Sequence, residues 1–214
     1  MRIGQRLQRG LLTQHFFFGG FGTTTTVHRE VRLSSPKEEN MASQQFVKAL
    51  QEQIGHEFSA HQQYVGIATY YDALTMPQMA ALFYAQALEE RDHAMMMVQY
   101  LLDQDQQVVI PGVPAPRMDF ADVVEPVQVA LDQEKRVTAQ INELTRLARE
   151  DNDFASDQFM QWFIKEQVEE VAKMSDLLAV VTRSKDDYER IEDWIAREET
   201  GEDSDPTAPP IAGA

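Results

Sequence analysis

Cysteine is absent from the 214 residues, which excludes disulfides, thiolate metal sites and iron–sulfur clusters. Long apolar runs are missing too, so no segment approaches the roughly 20 residues that a membrane-spanning helix requires. Positive charge is scarce: 19 Lys and Arg stand against 35 Asp and Glu, a net charge of −16. That balance disfavours binding to nucleic-acid phosphates and favours traffic in cations. The length suits one domain with a sizeable core.

What positive charge there is gathers at the start. Residues 1–40 carry Arg2, Arg6, Arg9, Arg29, Arg32 and Lys37 against Glu30, Glu38 and Glu39, a net +3, which leaves −19 for the remainder. Gly19-Gly20, Phe21-Gly22 and the Thr23–Thr26 run break any periodicity there. Arg2 to Phe18 resembles a signal peptide only in outline, since Thr13, Gln14 and His15 interrupt its apolar patch and no small-residue cleavage site follows. A transit peptide also fits the lack of acid before Glu30. The preferred reading is a third one. Lys37 to Met41 can be encoded by a purine-rich ribosome-binding sequence followed by a start codon, so Met41 is the expected start and 1–40 a translated leader. At the other end, 201–214 holds Glu202, Asp203, Asp205 and three prolines. It reads as a disordered, solubilising tail, or as a docking peptide for a partner shell.

Between these ends the apolar residues recur in steps of three and four, the rhythm of bundle helices. One stripe, from about Ser43 to Asp72, runs Leu50, Ile54, Glu57, His61, Tyr64, Ala68, Tyr71. A second starts near Met76-Pro77 with Thr75 as N-cap, and runs Phe83, Gln86, Glu90, Ala94, Met97, Leu101. The stretch 108–120 is rich in proline and valine and is expected as a crossover along the bundle. A third helix follows Asp122 as N-cap, with Val127, Leu131, Glu134, Thr138, Ile141 and Ala148 inward. A tight connection at 150–153 makes the fourth helix antiparallel to the third, with Met160, Phe163, Gln167, Glu170, Met174, Leu177 and Val181 inward. A short fifth helix from Asp186 or Asp187 to Glu199 shows Tyr188, Ile191, Trp194 and Ile195, and caps the bundle or a neighbouring subunit.

Glu57, Glu90, Glu134 and Glu170 stand in the middle of four apolar stripes. Unpaired charges cost several kcal/mol or more each when buried, and four together would repel and take up protons. A pair of divalent cations removes that penalty, because carboxylate and imidazole are suitable ligands. The positions also repeat. Glu57, Glu89, Glu90 and His93 recur 77 residues later as Glu134, Glu166, Gln167 and Glu170, as a helix pair and its pseudo-two-fold copy would present them. Glu90 and His93, three apart, project from one face. Carboxylate oxygens tolerate both ferrous and ferric iron, and one neutral imidazole keeps the metal oxidisable.

The stretches Glu52 to Phe58 with Tyr64, Ala87 to His93, Ala139 to Leu144 and Phe159 to Glu170 resemble bacterial non-haem ferritins. The resemblance covers about 46–199. It implies an all-α, ferritin-like antiparallel four-helix bundle with a long crossover between helices two and three and a short fifth C-terminal helix. It also implies roles. Glu57, Glu90 and His93 would hold a first iron, with Glu90 bridging to a second held by Glu134 and Glu170. Gln167 would sit beside the second iron on the oxygen-binding side. Glu89, Glu166 and Glu169 would form a third, transit site. Tyr64 and Trp162 would be nearby aromatic electron or hydrogen-bond donors. The implied activity is oxidation of Fe(II) by dioxygen or peroxide, with ferric iron deposited inside a cytoplasmic homo-oligomeric cage of twenty-four subunits.

Two departures matter. The repeat of Glu-x-x-His is Gln167-x-x-Glu170, which weakens the second iron site and favours iron in passage over a fixed pair. Arg91 stands beside Glu90 where haem-binding relatives carry methionine, so haem is not expected. A fixed-pair di-iron peroxidase or oxygenase is the first alternative. A DNA-protecting mini-ferritin is a second, disfavoured by the acidic balance, and a helical interaction module is a third. Other residues have plainer readings: Glu89, Glu166 and Glu169 as a solvated face, His61 as a hydrogen-bonded core histidine and Trp162 as packing. Asp151, Asp153 and Asp157 fit either an iron-access pore or capping of the fourth helix. Under the metal reading, Glu134→Ala is expected to slow iron oxidation and stabilise the metal-free fold.

Overall fold

The periodic stripes form four long helices and one short one in a computed structural model, which describes residues 43–198 and 205–214. The leader assigned to 1–40 lies outside these described residues. In order they are α1 (Gln44–Ala73), α2 (Pro77–Asp103), α3 (Glu125–Glu150), α4 (Phe154–Arg183) and α5 (Tyr188–Glu198). The described part contains no strand. α1 packs chiefly on α2 and α3 on α4; α1 also meets α3, and α5 meets α2.

Three helix ends share one device. Thr75, Asp105 and Asn152 adopt left-handed φ of 59°, 53° and 55°. After each, the next amide reaches back five residues: Met76 to the Tyr71 carbonyl, Gln106 to Leu101 and Asp153 to Ala148. This is the Schellman arrangement, here without glycine. Thr75 therefore ends α1 and does not cap α2. The predicted cap fails because its backbone is already committed to the preceding turn.

The amides at the start of α2 are capped from far away. Glu192 of α5 accepts from Gln78 N at 2.8 Å and Met79 N at 3.0 Å. A carboxylate there also complements the helix dipole. With Ile191 and Ile195 buried, this fixes α5 on the end of its own bundle. Glu192→Ala is expected to destabilise the fold by about 1 kcal/mol, the usual worth of a lost cap. A lowered urea midpoint would register it; an unchanged midpoint would show the contact to be ornamental. At α3 the N-cap is Val124, two residues beyond Asp122, but Asp122 Oδ1 still accepts from Val124 N and Glu125 N. Asp153 caps α4, accepting from Ser156 N.

The crossover climbs along α1. Gln51 donates to the Gln107 carbonyl, Gln63 exchanges hydrogen bonds with Arg117, and Tyr71 donates to the Val123 carbonyl. Two glycines on α1 make room. A Cβ on Gly55 would lie 3.0 Å from Pro111, and one on Gly66 2.8 Å from Met118 Sδ. The strap carries the chain back to the end where α1 turns into α2, so α3 descends in the direction of α2 and packs on α1.

Of the predicted tail, residues 205–214 lie against the bundle, and 201–204 fall outside the described residues. Asp205 accepts from Trp162 Nε1 and Lys165 Nζ, each at 3.2 Å. Ala212 N donates to the Met95 carbonyl at 3.3 Å. Ala208, Ile211 and Ala212 pack against the bundle core. Few but well-placed apolar and hydrogen-bonding groups thus hold 205–214 on α2 and α4.

The core falls into two apolar clusters. One includes Tyr64, Phe83, Ala87, Leu131 and Met174; the other includes Ile54, Ala94, Val137 and Phe163. On every long helix the boundary between clusters falls at the residues singled out above: 54–64 on α1, 87–94 on α2, 131–137 on α3 and 163–174 on α4. A polar layer therefore crosses the middle of the bundle.

Candidate metal centre

That layer is deeply buried. Relative exposure is 0–4 % for Glu57, Glu90, His93, Glu134, Gln167, Glu170 and Tyr64. Each sits on an inward stripe because two turns of apolar side chains above and below fix the rotation of its helix.

The two halves of the repeat differ in how their oxygens are occupied. Glu57, Glu90 and His93 offer ligand atoms all within 4.8 Å of one another, an arrangement that could hold a metal ion. Glu57 Oε2 and both Glu90 oxygens receive no hydrogen bond from any other residue, and the two carboxyls face each other closely enough to bond once one is protonated. His93 Nδ1 is 3.6 Å from Glu90 Oε2. Glu134 and Glu170 lie outside that trio and are engaged by protein donors. Tyr64 O–H donates to Glu134 Oε1 in a very short contact. Gln167 Nε2 approaches Glu134 Oε2 at 3.5 Å. Gln86 Nε2 donates to Glu170 Oε2 at 2.7 Å. Gln167 itself accepts from Thr138 Oγ1 at 2.9 Å.

Burial costs the charged form of Glu57, Glu90 and Glu134. It pushes Glu57 well above the usual carboxylate range, with help from the charge of Glu90. Glu90 moves the same way, through burial first and Glu134 second. Glu134 is pushed up to about 7 by burial and then Glu170, against the pull of the Tyr64 hydroxyl. Tyr64 is raised by burial and by three neighbouring glutamates, and so stays neutral. Orphaned buried carboxylate oxygens are rare in native proteins and call for a missing partner. Cations are the chemistry that two carboxylates and an imidazole accept most readily.

Sequence reasoning missed two glutamines. Gln53 donates to Glu57 Oε1 at 2.9 Å and to Gln140 at 3.3 Å, while Gln86 binds Glu170. Each stands four residues before a central glutamate on its own helix, a spacing that could have revealed them. Neither belongs to the 77-residue repeat, where Ala130 and Phe163 take their places. Trp162 packs edge-on to His93 at 5.6 Å, and Phe163 does so at 5.9 Å. His61 Nδ1 meets the Ala87 carbonyl at 2.6 Å, half-buried. Glu166 is half-buried and raised chiefly by that burial. Glu89 pairs with Lys173, and exposed Glu169 with Lys165. Asp157 receives Arg149 and Gln161, and Asp151 is exposed.

A four-helix bundle carrying a buried carboxylate–histidine layer across its middle is the class of protein that fold and site define. Residues 47–184 match the family model for the Ferritin-like domain. The chain belongs to that family. It is 50% identical over 168 residues to the ferritin BfrB of Mycolicibacterium smegmatis, covering 78% of this chain and 93% of that one. It is 35% identical over 147 residues to the bacterial non-heme ferritin of Staphylococcus aureus, covering 69% of this chain and 89% of the other. Among solved structures, an open-pore ferritin from the hyperthermophilic archaeon Archaeoglobus fulgidus superimposes with a TM-score of 0.72 at 26% identity. That match covers 76% of this chain and all of the archaeal one.

Proposed function

We propose that this chain is an iron-storing ferroxidase: it oxidises Fe(II) at a buried di-iron centre and passes ferric iron into a homo-oligomeric cage. The observation that carries this reading is the set of unpartnered oxygens on Glu57 and Glu90 beside His93. Membership of the ferritin-like family and the names of the relatives support it.

In this reading Glu57, Glu90 and His93 bind the first ferrous ion. Glu90 bridges to the second, which Glu134 and Glu170 receive. The second ion must draw Glu134 away from the Tyr64 hydroxyl and Glu170 from the Gln86 amide, so it is held less firmly. Gln167, fixed by Thr138, leaves the oxygen-facing side open. Loading displaces protons that the buried acids hold near neutrality, since a ligating carboxylate must be ionised. Two ferrous ions supply two electrons. Dioxygen takes them with two protons to leave hydrogen peroxide, or peroxide takes them to leave water. Neutral Tyr64 yields the Glu134 oxygen that the ion takes and stays beside the second subsite as a hydrogen-bond donor. Gln53 orients Glu57, and Trp162 confines the imidazole of His93. Glu89, Glu166 and Glu169 lie on the way out as transit carboxylates.

The test is iron retained per chain after aerobic Fe(II) addition, read across a size-exclusion peak. Iron far above two per chain, co-eluting with a very large assembly, is expected. Retention that stops near two per chain would instead indicate a fixed-pair di-iron enzyme. No retained iron would return the central glutamates to a purely structural role.

A further inference from the structure

Two lysines of α4 have apolar counterparts 77 residues earlier. Lys165 and Lys173 of α4 correspond to Leu88 and Met96 of α2. Both lysines are paired with the carboxylates assigned above to transit. Lys165 Nζ lies 3.7 Å from Glu169 and 3.2 Å from Asp205. Lys173 Nζ lies 3.6 Å from Glu89.

The two pairs are not equivalent. Lys165 and Glu169 are 59% and 61% exposed, so solvent and salt screen them and they contribute little. Lys173 and Glu89 are 33% and 25% exposed, and a partly buried pair is screened much less. Glu89 is also the immediate neighbour of Glu90, whose two buried oxygens lack partners. The charge of Glu89 is felt at Glu90. An ammonium group therefore already sits on the carboxylate next to the proposed centre.

We propose that Lys173 is a resident counter-cation at Glu89, which an incoming or outgoing divalent ion must displace. The proposal rests on the metal-centre reading given above. Lysine suits this role. Its ammonium is a single point charge on a flexible four-carbon stem, so it can neutralise one carboxylate and swing aside at small cost. A divalent ion gathers more than one oxygen and wins the exchange, yet its net gain is reduced by the pair it breaks. The result is a site that passes ions and does not keep them. Arginine would hold the carboxylate with a rigid two-pronged contact and yield it less readily.

Zinc(II), which does not change oxidation state, is the probe. The metal-free full chain is titrated calorimetrically, alongside Lys173→Gln and Glu89→Gln. In the unsubstituted chain the tight zinc class belongs to the central carboxylates and a weaker class to Glu89. Lys173→Gln is expected to tighten the weaker class about tenfold and leave the tight class unchanged. Glu89→Gln is expected to lose the weaker class. Superimposable isotherms for Lys173→Gln and the unsubstituted chain would overturn the proposal, as would a weaker class that survives Glu89→Gln. If the unsubstituted chain takes up no zinc at all, the metal-centre reading itself fails, a result distinct from either of these.

Discussion

Glu134→Gln should slow iron oxidation by about 100-fold or more while making the metal-free protein more stable at pH 8. The first effect follows, in the proposed di-iron reading, from the loss of an anionic oxygen pair at the second subsite. Substituting even the groups that orient metal ligands costs about 10- to 100-fold, and a ligand itself belongs at or beyond the top of that range. The second effect follows from burial. Glu134 is fully buried and is pushed up to about 7 by burial and Glu170, so at pH 8 the fold carries a charge it resists. A neutral amide of the same shape removes up to about 3 kcal/mol of that opposition. Glutamine is the right replacement because Tyr64 donates to Glu134. Alanine would strip the tyrosine hydroxyl of its acceptor deep in the core, at about 1–3 kcal/mol, and would open a cavity. The stabilisation expected from the sequence for Glu134→Ala is thereby offset by a contact that only the structure reveals. Stopped-flow oxidation and chemical unfolding of the same variant give both numbers. Normal oxidation would remove Glu134 from the centre, and a less stable metal-free fold at pH 8 would refute the repulsion argument.

The inward stripes were legible because apolar residues at three- and four-residue steps admit one helical phase, and a glutamate in phase with them is conspicuous. Every stripe residue named on α2 and α4 is buried. The crossover was legible from its prolines. What could not be read is whatever depends on residues distant in sequence. Glu192 caps α2 across 114 positions, while the local candidate, Thr75, is taken by the turn before it. Gly55 and Gly66 look like weak points in a helix until the strap lies against them. Asp205 looks like one more solvated acid until Trp162 and Lys165 converge on it. At the centre the repeat revealed which positions matter but not that the halves differ. Glu90 faces only the other members of its trio, Glu57 and His93, whereas its counterpart Gln167 is held by Thr138 and approaches Glu134.

Metal-free protein should lose stability as pH rises from 5.5 to 8, the reverse of the usual acid-denaturation trend, and saturating zinc(II) should invert the slope. Glu57, Glu90 and Glu134 all have folded-state pKa values above the ordinary carboxylate range. A carboxyl raised in the fold binds more protons folded than unfolded. Its stabilising contribution is complete below its unfolded pKa and is lost as pH climbs through its folded value, which for Glu134 is about 7. Each such group contributes at most roughly 1.4 kcal/mol per pH unit. The net charge of −16 adds self-repulsion of the same sign, so the slope alone is ambiguous. Glu134→Gln separates the two: it changes the net charge by a single unit but removes one of the buried titrations, and should flatten the slope between pH 6 and 8. Zinc reverses the dependence because it competes with protons for the same oxygens, so higher pH favours the loaded fold. Melting midpoints with chelator and with zinc, measured across this range for both proteins, give the comparison. A metal-free midpoint that stays level or rises with pH would mean that the buried acids hold no protons at neutrality. The inward glutamates would then be neutralised by something other than the cation that their geometry invites.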